Sequence, residues 1–275
     1  MTPESTHAAV LGLVQGLCEF LPVSSSGHLA LAQALYGFHG PEVFFDLILH
    51  LGTLAAVCVF YRREMAGLIS ELRRLGRPSE LRKSYRVRPI FRLGVMIVIG
   101  SVPTAVIGLL FEDYLTSLFS SLKAVGICFL ITAAVLTVSR FLKTAVYKSE
   151  LEFPAWAAFV IGCSQGIAIA PGISRSGITI CVALMLGLEG SLAARYSFLL
   201  SVPAILGGLL LKFRDAGAST FPPSAAALGF AVAAVSGFMA LKLLTYIVNR
   251  ERFHYFAPWC VAAGLLTLHL YRTGL

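Results

Sequence analysis

Charge is scarce in this sequence. Only 13% of its 275 residues are Asp, Glu, Lys or Arg, against roughly one-quarter in an ordinary soluble domain, while 57% are hydrophobic and the mean hydropathy is +0.81. That deficit excludes a soluble fold. The six cysteines, Cys18, Cys58, Cys128, Cys163, Cys181 and Cys260, stand singly in apolar runs, with neither metal-type spacing nor a disulfide framework, and read as small core residues. Residues Met1 to Ala9 hold no Lys or Arg and no small-residue cleavage site follows. The start therefore does not resemble a signal peptide, and the first helix is expected in the mature chain.

What is present is a series of apolar runs long enough to span a bilayer core, which needs ~20 residues per helix. Six lie at about 44–61, 93–111, 122–141, 194–211, 225–245 and 256–271. Two further stretches, 6–35 and 154–190, are apolar but broken near the middle by Pro, Ser and Gly. Lipid offers no partners to backbone groups freed at such a break, so these read as re-entrant helical hairpins buried in protein. The expected fold is an all-α integral membrane protein with six transmembrane helices and two re-entrant hairpins, forming one membrane domain over 1–275.

Basic residues fix the expected orientation and also decide whether the net charge of +8 means nucleic acid. Ten of the 22 Lys and Arg fall between Arg62 and Arg92, including Arg73, Arg74, Arg77, Arg82, Lys83, Arg86 and Arg88. By the positive-inside rule this segment, about 62–92, reads as a cytoplasmic loop, and no nucleic-acid partner is expected. Alternating sides from there gathers 15 basic residues inside, with Arg140, Lys143, Lys148, Arg250 and Arg252 joining the first ten, and leaves Lys212, Arg214 and Arg272 outside. Both termini are expected outside.

The two broken stretches are related. Gly12, Gln15, Gly16, Ser24, Ser26 and Gly27 recur 150 residues later as Gly162, Gln165, Gly166, Ser174, Ser176 and Gly177, and Pro22 is matched within one step by Pro171. Three spans follow each hairpin, so the copies, about 6–141 and 154–271, enter the membrane in opposite senses. Such an inverted-topology repeat brings broken helices together near the midplane, where their N-termini can hold an anion.

Those breaks also carry the reactive side chains. Gln15 and Glu19 share one helix face, and a carboxylate there costs on the order of 3 kcal/mol against lipid, so Glu19 is expected to face a polar cavity, as a working group or a structural hydrogen-bonding one. Ser24, Ser25, Ser26, Gly27 and His28 combine three hydroxyls, a hinge and an imidazole, either a nucleophile loop or a helix cap. In the second hairpin Ser174, Arg175, Ser176, Gly177 and Thr179 place hydroxyls, amides and a guanidinium at a helix start, a setting for phosphate. A structural Arg175–Glu19 pair is the plainer alternative. The repeat superposes Ser25 on Arg175. Asp46 and His50, four apart, could serve the site or a cation, and capping accounts for Asp46 equally well. His7, His39, His254 and His269 lie near segment ends, and Trp156 and Trp259 read as interface markers.

The run LGLVQGLCEFLPVSSSGH (Leu11 to His28) and the run PGISRSGIT (Pro171 to Thr179) resemble the two signature motifs of the undecaprenyl-diphosphate phosphatase, or bacitracin-resistance, family. Phe44 to Val57 and Ala193 to Gly208 are similar to it as well. The resemblance implies an enzyme of the bacterial plasma (inner) membrane, open toward the outer face, that converts undecaprenyl diphosphate to undecaprenyl phosphate and inorganic phosphate and so recycles the carrier lipid for cell-wall synthesis. It implies catalytic roles for Glu19, Ser25 and His28 and phosphate binding by Ser174, Arg175 and Thr179. Arg175 is also expected to be catalytic, and Gln15, Ser24, Ser26 and Ser176, from the same two hairpins, are expected to bind substrate with Ser174 and Thr179. A divalent cation, Mg2+ or Ca2+, is implied at Glu19 with Gln15, which stands where many relatives carry a glutamate. The lipid, the bilayer and a second copy of the chain in a homodimer are the expected partners.

The expected chemistry is attack by Ser25 on the terminal phosphorus, with Arg175 and the second-loop amides holding the diphosphate and Glu19 or His28 moving protons. Water or His28 as nucleophile remains open. A polyprenyl-phosphate flippase or transporter is the rival reading, since broken-helix inverted repeats are a transporter architecture. The acid-phosphatase-like membrane family, which also carries a Ser-Gly-His element, fits poorly because no second motif with a later catalytic His and Asp follows Arg175.

Overall fold

A computed structural model of the chain describes residues 3–35, 43–72, 78–142, 145–212 and 221–273. His39, Arg73, Arg74, Arg77, Lys143 and Arg214, named above, lie outside the described residues.

The first hairpin is α1 (Pro3–Phe20) and α2 (Ser25–Leu35), interrupted at Leu21–Ser24. Then come α3 (Val43–Phe60), α4 (Arg62–Leu72), α5 (Pro78–Val87), α6 (Pro89–Leu110), α7 (Glu112–Phe119) and α8 (Leu122–Val138). The second hairpin is α9 (Ala155–Ile167) and α10 (Arg175–Met185), followed by α11 (Gly190–Lys212), α12 (Pro223–Asn249) and α13 (Ala257–Thr273). At 13 and 11 residues, α9 and α10 reach only about 20 and 16 Å, well short of a bilayer core of about 30 Å. Among the described residues five helices are long and apolar enough to cross a membrane, or six when α3 is counted with α4, which bends away from it by 81°. The protein is thus an all-α, multi-pass membrane protein.

Of residues 62–92, expected as a loop, those described are largely helical. The segment alternates charge with Met65, Leu68 and Ile69 at helical spacing, a pattern that a search for uninterrupted apolar runs does not register. Leu68 packs against Gly94 and Ile90 against Gly67, which lays α4 on α6. Arg88 closes the segment on Glu71 at 3.1 Å.

The polarity is that of a protein solvated by lipid. Leu110 and Leu210 are 74% and 75% exposed, whereas Gln15, Thr53, Thr132, Thr179, Ser197 and Ser201 are buried. Apolar side chains face out and hydroxyls face in, where each finds a partner.

Helices pack across the two halves. α1 lies on α12, α9 lies on α6, and α8 pairs with α13. Small residues allow this approach. A Cβ on Gly12 would stand 2.6 Å from the Gly229 carbonyl oxygen, and one on Gly162 would stand 2.7 Å from the Gly100 Cα. The hairpin tips obey the same 150-residue relation: Gly27 abuts Gly172, and Gly177 abuts Pro22. Shifting one contact by the repeat length produces the other, the signature of a two-fold pseudo-axis running between the tips.

Gly162→Ala should therefore destabilise the protein by about 1–3 kcal/mol through overpacking against α6, whereas Gly207→Ala, whose Cβ would meet nothing within 4 Å, should not. Thermal unfolding of the two variants in detergent distinguishes them.

Candidate active site

Glu19 sits in the last turn of α1, where Gln15 precedes it on the same face, and is only 7% exposed. Its Oε2 accepts hydrogen bonds from Gln15 Nε2 at 3.0 Å and from Ser25 Oγ at 2.6 Å. The other oxygen, Oε1, is bridged by Nη2 of Arg175. His50, on α3, places Nε2 3.9 Å from Oε2. One buried carboxylate thus gathers residues from both hairpins. Ser25 and Arg175, equivalent positions of the repeat, meet on its two oxygens.

The break that delivers Ser25 is built locally. α1 ends at Phe20, and Ser24 takes a left-handed φ of +68° before α2 begins at Ser25. The Ser24 hydroxyl caps the new helix by accepting from Gly27 N at 3.4 Å and lies 3.4 Å from the Ser26 hydroxyl. The second break repeats the device. Gly172 turns at φ +90°, Ser174 Oγ accepts from Gly177 N at 3.1 Å, and Ser174 and Ser176 hydroxyls stand 3.3 Å apart.

The hydroxyls predicted to bind substrate are engaged within the protein. Ser176 donates to the Leu21 carbonyl at 3.3 Å, tying the second tip to the first. Thr179 donates to the Arg175 carbonyl at 2.8 Å and pairs with Ser197 of α11. Thr132 of α8 accepts from Ser174 N and donates to the Gly172 carbonyl, both at 3.0 Å, so it braces the arginine loop. Thr132 and Ser197 carry no signal in the sequence beyond a hydroxyl in an apolar span. His28 points away from Glu19, with Nδ1 on the Ser24 carbonyl and Nε2 on Trp259. Asp46 accepts from Gln33 of α2 at 2.9 Å, holding α3 to the first hairpin.

Two polar atoms at the centre have no hydrogen-bond partner, Arg175 Nη1 and Gln15 Oε1, and both are buried. Nη1 is a spare cationic donor on the guanidinium whose Nη2 binds Glu19, the carboxylate that also accepts from Ser25, and it is available to an anionic oxygen. Gln15 Oε1 is a spare acceptor beside a carboxylate. Among the described residues no three His, Cys, Asp or Glu gather as a metal cage. Glu19 with Gln15 Oε1 nevertheless suits a cation whose remaining ligands are phosphate oxygens and water, the usual manner of holding Mg2+ on phosphorylated substrates. A hydroxyl bonded to a carboxylate, with a guanidinium alongside, is the equipment of phosphoryl transfer.

Known proteins resemble the chain over nearly its whole length. The family model described as Bacitracin resistance protein BacA matches residues 8–266. A protein of Desulforapulum autotrophicum named undecaprenyl-diphosphatase is 41% identical over 270 residues, 96% of this chain and 98% of its own. One of the same name from Desulfatibacillum aliphaticivorans is 42% identical over 269 residues, covering 95% and 97% of the two chains. Another, from Korarchaeum cryptofilum, is 41% identical over 268 residues, covering 97% and 99%.

Removing one partner of a buried ion pair strands the other. Arg175→Ala should cost about 3 kcal/mol of stability, and Glu19→Gln introduced on top should restore part of it, a non-additivity read by thermal unfolding of the two single variants and the double.

Proposed function

The chain belongs to the bacitracin resistance protein BacA family, and on that premise we propose that it hydrolyses undecaprenyl diphosphate to undecaprenyl phosphate and inorganic phosphate, regenerating the carrier lipid of cell-wall synthesis. The observation that carries this to a mechanism is the 2.6 Å hydrogen bond from Ser25 to Glu19, whose other oxygen is bridged by Arg175, a guanidinium with its Nη1 unpartnered.

The diphosphate draws the guanidinium of Arg175 from Glu19 onto its oxygens, satisfying Nη1. Released from the ion pair, Glu19 Oε2 accepts the Ser25 proton as Oγ attacks the terminal phosphorus. The bond to the bridging oxygen breaks, and undecaprenyl phosphate leaves. Glu19 passes that proton to the departing undecaprenyl phosphate. Water then attacks the phosphoserine, giving its proton to Glu19, which hands it to Oγ as the P–Oγ bond breaks, so that inorganic phosphate departs with Ser25 restored. Arg175 and the α10 amides stabilise the charge that spreads over the equatorial oxygens, which is most of what phosphoryl transfer requires. A divalent cation, when held by Glu19 and Gln15, supplies further neutralisation of the diphosphate.

Gln15, Ser24, Ser26, Ser174, Ser176 and Thr179 serve substrate binding indirectly. Ser24 and Ser174 cap Gly27 N and Gly177 N with Ser26 and Ser176 beside them, Ser176 and Thr179 bond the Leu21 and Arg175 carbonyls, and Gln15 holds Glu19, so these side chains keep in shape the loops that meet phosphate. The basic residues near 62–92 support, by the positive-inside rule, a reading in which that segment lies on the cytoplasmic side of the plasma membrane and the site opens toward the outer leaflet. A homodimer is compatible with the apolar outer surface.

The test is phosphate release from a polyprenyl diphosphate by purified protein in detergent, with Mg2+ or Ca2+ titrated. Cation-dependent release is expected, and Ser25→Ala should lower kcat by on the order of 10³-fold. Tight lipid binding without release would identify a carrier instead, and a fully active Ser25→Ala protein would assign the attack to water.

A further inference from the structure

Trp259 has no part in the mechanism above, yet it bonds a residue of the nucleophile loop. It stands in the first turn of α13, 231 residues from His28, and its indole N–H donates to His28 Nε2 at 3.0 Å. The rings are stacked, 11° from parallel with centroids 6.1 Å apart, and Phe129 of α8 closes the other side edge-on at 5.1 Å. His28 Nδ1 lies 2.8 Å from the Ser24 carbonyl oxygen, which also accepts the backbone N–H of His28 at 3.2 Å.

The partners fix the tautomer. A carbonyl only accepts, so Nδ1 carries the proton; an indole N–H only donates, so Nε2 presents its lone pair. Both ring nitrogens are committed to protein, and neither faces Glu19 or Ser25. What the ring does hold is the Ser24 carbonyl, which belongs to the peptide joining Ser24 to Ser25. Ser24 is one of two non-glycine residues with positive φ among the described residues, a conformation unfavourable by roughly 1–2 kcal/mol. The plane of that peptide sets the direction in which Ser25 leaves the backbone, and hence its 2.6 Å approach to Glu19.

We propose that Trp259 is a positioning residue for the reaction: through a neutral His28 it holds the Ser24–Ser25 peptide in the orientation that aims the Ser25 hydroxyl at Glu19. His28 is a strut and relays no proton in the reaction. This rests on Ser25 as nucleophile. Because the indole is 59% exposed at the outer surface of α13, phenylalanine can replace its apolar contact and remove only the N–H.

The test measures kcat and KM for phosphate release by the full chain in detergent, with melting temperature recorded for each variant. Trp259→Phe should lower kcat roughly three- to tenfold at unchanged KM, the loss of one hydrogen bond acting on orientation. His28→Asn, whose amide nitrogen replaces Nδ1 as donor to Ser24, should resemble Trp259→Phe, and combining the two should add little. His28→Ala should fall roughly a further tenfold or more below His28→Asn. A proton-carrying His28 makes the opposite forecast: asparagine as inactive as alanine, and Trp259→Phe at or above wild type because Nε2 is freed. Either result overturns the proposal. The asparagine–alanine comparison decides the matter even if Trp259→Phe fails to fold. An inactive Ser25→Ala beside a wild-type Trp259→Phe would sink this inference alone, whereas a fully active Ser25→Ala would sink it together with the nucleophile assignment.

Discussion

A carboxylate without water needs a cation, and most of the architecture follows from supplying one to Glu19. The charge is buried at the end of α1, where an unpaired carboxylate would be costly, and Arg175 arrives from a hairpin in the other half of the chain. For the guanidinium to reach Oε1, the two tips must abut within van der Waals distance, which demands Gly27 against Gly172 and Gly177 against Pro22. For the tips to meet, each hairpin must be enclosed by helices of the opposite repeat, as α12 encloses α1 and α6 encloses α9. In the proposed mechanism the same pair is where a diphosphate competes with Glu19 for the guanidinium.

The scaffold is close to symmetric and the chemistry is not. Gln15 and Gln165 occupy matching sites, yet Gln15 donates to a carboxylate while Gln165 donates to Thr104 and the Leu200 carbonyl. Where the first repeat has Glu19, the second has Ile169, and where the first has Ser25, the second has Arg175. Caps and hinges survive in both copies because both must break a helix inside a membrane. The groups at the tips differ: the acid and one hydroxyl come from the first copy and the guanidinium from the second, the division that the proposed mechanism uses as base, nucleophile and anion clamp.

How much of this was legible in the sequence depended on whether the signal was local. Glu19, Ser25 and Arg175 stood out because polar groups inside apolar runs are costly, and the 150-residue recurrence placed the last two opposite each other. The spans were visible as uninterrupted runs. The amphipathic α4 and α5 escaped a search tuned to such runs. Thr132 and Ser197 could not be singled out, since one hydroxyl in a spanning helix commonly serves only its own backbone. Trp259 looked like an interface marker, and only a fold that brings α13 beside α2 gives its N–H a partner. The plane of the imidazole, and therefore which nitrogen bears hydrogen, is a property of that packing alone.

The crossed arrangement of the halves also imposes a schedule on biogenesis. Arg175 follows Glu19 by 156 residues, so a ribosome adding about 5–20 residues per second exposes the counter-ion roughly 8 to 30 s after the acid. Throughout that interval α1 also lacks α12, the helix it packs on, which is made later still. The amino-terminal hairpin therefore cannot complete its ion pair or its packing on α12 until the carboxy-terminal half has been made.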